Sequence, residues 1–200
     1  MKMKSRALAL VAMIAAVTVY GCNSFLACDK CKNNPNLPTS ATADQLFIGA
    51  QVSLMAQWET YPLNLLPTWV DQIAGVNRQW ANYANYASGT DNITSDATWI
   101  SMYGPGGLAD LRRAEDEATT SGNQKLVGEL QVVEALLMGT SADLFGDIPY
   151  DSALTASPTF DAQAAVYSHV QATLDAALSN LAGGGAGAAV DFFFANDAAK

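Results

Sequence analysis

The chain has 200 residues, of which 50% are hydrophobic and 14% are charged. This composition is typical of a well-packed globular protein and excludes a disordered chain, and the length predicts one domain. Ten basic residues against 19 acidic ones give a formal net charge of −9, which makes nucleic acid a poor partner.

The start of the chain has the layout of an export signal. Three basic residues precede an uncharged run of 14 residues over positions 7–20. A helix of that length spans about 21 Å, against roughly 30 Å of hydrocarbon, so it is too short to remain as a membrane span. Gly21 directly precedes Cys22, and Val19 lies three positions before it, an arrangement that resembles the lipobox of bacterial lipoproteins. We expect residues 1–21 to be removed and Cys22 to carry a lipid; the alternative is an ordinary secretory signal with a structural thiol.

The following segment, 22–40, is rich in Asn, Pro and Ser and has almost no apolar periodicity. It predicts an extended tether between the anchor and the domain. The segment contains Cys28 and Cys31, and the single histidine, His169, lies far away in sequence. Two thiols cannot complete a four-ligand zinc site, so we expect no metal. In an oxidising compartment a small disulfide loop between Cys28 and Cys31 is the preferred interpretation, and a redox Cys-x-x-Cys stays open.

Helical signals begin with Thr42 and Gln45, which have the spacing of a capping box. Over residues 63–86, aromatic side chains recur at helical spacing and predict one broad helical face. Three rings at i, i+3 and i+6 define that face: Trp80, Tyr83 and Tyr86. Such rings either pack in a helix seam or form platforms on which sugar rings and other flat apolar ligand faces stack. The candidate ligand-binding rings are Trp58, Tyr61, Trp69 and Trp99.

A clear amphipathic helix is predicted over residues 124–145. It should end at Gly146, and Pro149 prevents it from resuming. Its apolar stripe consists of Leu126, Leu130, Val133, Leu137 and Leu144. We expect this helix to pack on one side only, with Glu129 and Gln131 facing away.

Asp143 and Asp147 lie at the negative end of this helix dipole, where isolated carboxylates are disfavoured. We therefore expect both to accept hydrogen bonds from the following turn. Two acids at this spacing also suggest acid–base catalysis or a calcium site, although the spacing alone is weak evidence.

Residues 157–163 are predicted to open a last helix, capped by Asp161 or Thr159. Its buried stripe should consist of Val166, Val170, Leu174, Leu178 and Leu181. His169 lies beside this stripe, with no nucleophile elbow and no second histidine in the sequence. A Ser-His-Asp hydrolase is therefore poorly supported, and His169 is interpreted as a surface or boundary residue.

Three sequence blocks, 33–42, 142–150 and 158–167, resemble the SusD/RagB family of nutrient-binding outer-membrane lipoproteins in order and spacing. The middle block reads Ala-Asp-Leu-Phe-Gly-Asp-Ile-Pro-Tyr and follows a helix. The resemblance implies an all-α fold of tetratricopeptide-like helix pairs, with residues 41–200 forming the N-terminal part of a longer SusD-like domain. No repeat is visible in the sequence itself.

The resemblance also implies a function. The protein would be lipid-anchored at the outer membrane, on the cell surface, and would bind an oligosaccharide or peptide. It would deliver that ligand to a TonB-dependent, SusC-like barrel, without enzymatic activity and without a cofactor. Binding residues vary among members, so only Cys22 carries over. The alternatives are a helical scaffold lipoprotein of an envelope complex and a surface glycosidase that uses an acid pair such as Asp143 and Asp147.

Overall fold

The computed structural model describes residues 40–59, 61–86 and 93–192. The predicted signal (1–21), Cys22, and nearly all of the tether with Cys28 and Cys31 lie outside the described residues. The side chain of Tyr61 lies outside them as well. These predictions stay predictions.

The described residues form helices joined by turns. The helices are α1 Ala43–Glu59, α2 Tyr61–Trp69, α3 Gln79–Ala84, α4 Ile93–Tyr103, α5 Leu108–Thr120, α6 Gln124–Phe145 and α7 Gln163–Leu181. An isolated antiparallel bridge joins Ile148 to Asp161. The all-α prediction is confirmed. Within the described ranges, no helix combines the length and the apolar character needed to span a bilayer.

The predicted capping box at the start of α1 is confirmed. The Thr42 backbone N–H donates to Gln45 Oε1 at 3.0 Å, and the Gln45 N–H donates to Thr42 Oγ1 at 3.4 Å. Because these bonds satisfy N–H groups that lack a partner within the helix, α1 begins sharply at Ala43.

The broad helical face predicted for Trp80, Tyr83 and Tyr86 is wrong, because α3 ends at Ala84. The chain leaves the helical path after α2 and resumes it only in α3. Asp71 and Arg78 adopt left-handed φ angles of 57° and 51°, which an α-helix does not accommodate. The carbonyl of Pro67 accepts the N–H of Gln72 at 2.8 Å and closes the turn.

The bounds predicted for α6 are confirmed. Gly146 ends the helix with φ 75°, and its N–H donates to the Ala142 carbonyl at 2.9 Å. Packing on one side only is wrong, because α6 contacts α5, α7 and α1. Glu129 and Gln131 do not face away: Glu129 accepts the Ala188 N–H, and Gln131 donates to Glu115.

The helix predicted to open within residues 157–163 is confirmed as α7, which begins at Gln163, but its predicted caps are wrong. The Gln163 N–H donates to Oδ1 of Asp147, 2.9 Å away. Asp161 Oδ2 instead accepts the N–H groups of Tyr150 and Asp151, both at 2.8 Å. The cap of α7 therefore comes from the end of α6 and not from the residues just before α7.

The predicted buried stripe of α7 is wrong at Leu178, which is 69% exposed, whereas Ala177 is 1% exposed. The reason lies in α6. A Cβ at Gly128 would stand 2.9 Å from the Ala177 carbonyl oxygen and 2.8 Å from the Leu181 N. The two backbones thus approach closely at Ala177, which turns Leu178 to solvent.

A continuous apolar core is shared by α1, α4, α5, α6 and α7. Its fully buried side chains include Phe47, Leu54, Met102, Leu108, Leu111, Leu130, Leu137, Met138 and Val166. Ile148, just beyond α6, extends this core toward the segment that leads to α7.

Candidate functional site

Trp99 on α4 is the centre of an aromatic cluster. Its ring centroid lies 5.4 Å from that of Tyr103, 5.3 Å edge-on from Phe145 and 6.0 Å from Phe160. Trp99, Tyr103 and Phe145 are partly buried and rest on the apolar core. Phe160 stacks on Trp99 at 23° and is 66% exposed. Phe160 is therefore the outer ring, and Trp99 is the inner ring that supports it.

Hydrogen bonds hold both ends of the segment between α6 and α7 together, and they position Phe160. Ile148 and Asp161 exchange backbone hydrogen bonds of 3.2 and 3.0 Å. The two N–H groups that donate to the Asp161 carboxylate, from Asp151 and Tyr150, hold the pKa of Asp161 below its usual value. Because Phe160 directly precedes Asp161, this clamp fixes the backbone beneath the exposed ring.

Two side chains from the helical core bind the same segment. The Tyr103 hydroxyl donates to the Pro149 carbonyl at 2.7 Å, and Arg112 Nη2 donates to the Tyr150 carbonyl at 3.1 Å. Burial raises the pKa of Tyr103 to about 12, so its hydroxyl remains a donor at neutral pH. These hydrogen bonds join residues 149–150, just after α6, to α4 and α5.

A buried charge pair stands behind this segment. Arg112 Nη2 lies 3.4 Å from Glu134 Oε1, and the Glu134 side chain is only 7% exposed. Burial raises the pKa of Glu134, and the Arg112 charge opposes that shift. The guanidinium also lies 5.5 Å from the centroid of the Tyr150 ring. This network holds Tyr150 from the side of the helical core, and the exposed ring of Phe160 is not part of it.

A second stacked pair lies at α2 and α3. Trp69 and Tyr86 stack at 5.8 Å and 25°, with Tyr86 67% exposed. Trp69 Nε1 donates to the Tyr83 carbonyl, and the Tyr86 hydroxyl donates to the Trp69 carbonyl, both at 3.0 Å. Tyr86 lies beyond the end of α3 with φ 55°, so the predicted three-ring helical face does not form. Trp80 packs edge-on against the buried ring of Tyr83.

A cavity of about 220 Å³ opens between the end of α2 and the start of α3. It is lined by residues 73–77 of the turn, by Thr68 and by Trp80. Most of this lining is apolar, and Ile73 and Val76 are 51% and 85% exposed.

The predicted ligand-binding tryptophans are dispersed in the structure. Trp58 packs against the apolar core, and Trp69 and Trp99 are each the inner ring of a separate stacked pair. Among the described residues, no ring contact links any two of these three. Sequence reasoning missed Phe160 as an outer ring, because its stacking partner lies on a distant helix and no local pattern marks it.

The acids Asp143 and Asp147 have structural partners on α7. Asp143 Oδ1 accepts the Tyr167 hydroxyl at 2.6 Å, which raises the pKa of Tyr167, and Asp147 caps α7. The prediction that the following turn donates to both is therefore wrong. Over the described part of the chain, no group of three or more His, Cys, Asp or Glu side chains could hold a metal ion. His169 is exposed, as predicted, and its ring meets Tyr150 edge-on.

Comparison with known proteins agrees with the fold. Residues 35–200 match the SusD-like family model, described as "Starch-binding associating with outer membrane". A crystal structure of a SusD/RagB family protein from Bacteroides thetaiotaomicron VPI-5482 is similar, with 23% identity and a TM-score of 0.67. The similarity covers 80% of this chain and 35% of that one, so the chain spans about a third of that protein. No curated protein matches the sequence. Because the family model covers most of its length, the chain belongs to the SusD-like family.

Proposed function

We propose that this protein is a lipid-anchored outer-membrane binding protein that captures an oligosaccharide or peptide and delivers it to a TonB-dependent barrel. The observation that carries the proposal is the match of residues 35–200 to the SusD-like family. The Cys22 lipid predicted from the sequence supplies the membrane attachment, and the protein performs no chemistry on its ligand.

The stacked pair Trp99–Phe160 supports a binding role. A ligand with a flat apolar face, such as a sugar ring or an aromatic side chain, can stack on the exposed face of Phe160. Trp99 behind it and the clamp at Asp161 hold the platform in place before the ligand arrives. A preorganised ring loses little conformational entropy on binding, which favours affinity.

Delivery to a barrel is tested by isolating the full-length protein from its native outer membrane in mild detergent and identifying copurifying proteins by mass spectrometry. A TonB-dependent barrel in the complex supports the proposal. Recovery of the protein alone, or within an inner-membrane complex, contradicts it. The control is Cys22→Ala, which we expect to leave the membrane fraction because the lipid is lost.

Ligand binding is tested by retention on immobilised oligosaccharides and peptides. Phe160→Ala should weaken retention about five- to tenfold, the equivalent of roughly 1 kcal/mol of lost stacking. Phe192→Ala is a matched control, because Phe192 is also exposed, at 53%, and belongs to neither stacked pair. Unchanged retention in both Phe160→Ala and Tyr86→Ala would exclude ring stacking as the binding mode.

The alternative of a glycosidase is tested by incubating the protein with oligosaccharides. Cleavage of an oligosaccharide that is lost in Asp147→Asn would favour a glycosidase instead.

A further inference from the structure

Residues 184–192, here called the strap, cross α6 in a conformation held through their main chain. Asn123 Oδ1 accepts the Gly187 N–H at 3.1 Å, and Asn123 Nδ2 donates to the Gly187 carbonyl at 3.3 Å. Glu129 Oε2 accepts the Ala188 N–H at 2.6 Å. Asn123, the N-cap of α6, and Glu129 on α6 thus bind the strap through its main-chain N–H and C=O groups.

The strap then reaches α1, far away in sequence. Asp44 Oδ1 accepts the Ala189 N–H at 2.9 Å, and Gln51 Oε1 accepts the Phe192 N–H at 2.9 Å. Gln51 Nε2 also donates to Asp191 Oδ1 at 3.3 Å. Asp44 lies in the first turn of α1. The strap therefore joins the start of the domain to α6.

The strap has glycine at two positions where residues of α6 and its cap lie close to the main chain. A Cβ at Gly185 would stand 2.2 Å from Asn123 Oδ1, and one at Gly187 would stand 2.7 Å from Glu129 Oε1. Gly187 also has a left-handed φ of 75°. An alanine at 187 would therefore be strained by the backbone angle, whereas the flexible Glu129 side chain could move away from the added Cβ.

Little apolar surface depends on the strap. Gly187 and Ala188 are its buried residues, and Ala188 joins the apolar core with its one methyl group, whereas Val190 and Phe192 are 41% and 53% exposed. The large buried side chains of α1, such as Phe47, pack among the helices. When the strap leaves, its main-chain hydrogen bonds can be replaced by bonds to water, at a small cost compared with opening the core.

We propose that the strap is a detachable latch that opens while the helices remain folded and that, when closed, fixes the first turn of α1 to α6. Opening exposes a polar groove formed by Asp44, Gln51, Asn123 and Glu129 and releases the first turn of α1 from α6. This inference does not rest on the proposed function.

Hydrogen exchange of the full chain, followed amide by amide, tests the proposal. The Gly187, Ala188 and Phe192 amides should exchange at least 100-fold faster than those of Leu130 and Leu137 in α6. Their rates should hardly change in low urea, because opening the latch exposes little surface. Equal rates with equal urea dependence would mean that the strap unfolds only with the core, which overturns the proposal.

A pair of glycine variants adds a second measurement. Gly187→Ala should accelerate exchange of the strap amides at least tenfold and leave the Leu130 and Leu137 amides unchanged. Gly184→Ala is the control, since a Cβ there meets no atom within 4 Å, and it should change neither set. Equal acceleration of strap and α6 amides by Gly187→Ala, or no acceleration at all, contradicts the latch.

Discussion

Trp99 and Phe160 differ in burial although their rings stack on each other. Trp99 rests on the apolar core, whereas Phe160 is 66% exposed. Trp99→Ala should therefore lower the free energy of unfolding by about 2–3 kcal/mol, somewhat less than for a fully buried ring, and Phe160→Ala by less than about 1 kcal/mol. Urea denaturation measures both. Equal losses would mean that the two rings are equally buried in solution and would contradict the inner and outer assignment.

The charge pair Arg112–Glu134 offers a second test at single residues. Arg112→Ala leaves the Glu134 carboxylate, 7% exposed, without its cation and should cost about 3 kcal/mol of unfolding free energy. Arg113→Ala, on the exposed side of α5, is the matched control and should change stability by less than about 0.5 kcal/mol.

Adding Glu134→Gln to Arg112→Ala should recover part of that loss, because an amide is less costly to bury than a charge. A double variant no more stable than Arg112→Ala would show that Arg112 acts through its packing and its bond to Tyr150, not through the charge of Glu134.

Two glycines inside α6 are expected to respond oppositely to the same substitution. A Cβ at Gly128 would collide with the backbone of α7, 2.8 Å from the Leu181 N, so Gly128→Ala should cost about 2 kcal/mol. At Gly139 the nearest atom, Val170 Cγ1, is 3.9 Å away, so Gly139→Ala should gain about 0.5–1 kcal/mol from the better helix propensity of alanine. Thermal and urea unfolding of both variants would check this, and a stabilising Gly128→Ala would refute the close helix contact.

The helices show which features of an element can be predicted from its own sequence. The bounds of α6 follow from its apolar period and the glycine at 146, which are local signals. The cap of α7 does not, because Asp147 reaches it from 16 residues away. The exposure of Leu178 was also unpredictable, since it depends on the absence of a side chain at Gly128 on the neighbouring helix.

For the whole molecule, the family could be predicted from the sequence, but the candidate binding surface could not. The resemblance over 33–42, 142–150 and 158–167 predicted a SusD-like all-α fold, which the family match confirms. Aromatic content marked Trp69 and Trp99 as candidates. Which ring of each pair faces solvent is decided by tertiary contacts, so Phe160 and Tyr86 emerge as outer rings only from the structure.

Acidic groups spread over the molecule predict an unusual dependence of stability on pH. Burial raises the pKa of Glu115, Glu129 and Glu134 above the ordinary value of 4.5. These raised pKa values stabilise the folded protein below pH 4.5. The stabilisation is lost as the pH rises through the pKa values that the three groups have in the folded state. The Asp161 pKa is instead lowered from 3.8, so its contribution is present above 3.8 and is lost as the pH falls through its folded value.

The urea midpoint should therefore rise as the pH is lowered from 7 toward 4.5 and fall again as the pH drops below 3.8 toward the lowered pKa of folded Asp161. Glu134→Gln should flatten the rise, because it removes a buried carboxylate, whereas Glu117→Gln, at an exposed position on α5, should leave the profile unchanged. A midpoint that falls steadily from pH 7 to 4.5 would mean that these carboxylates are better stabilised as anions in the folded protein than their burial implies.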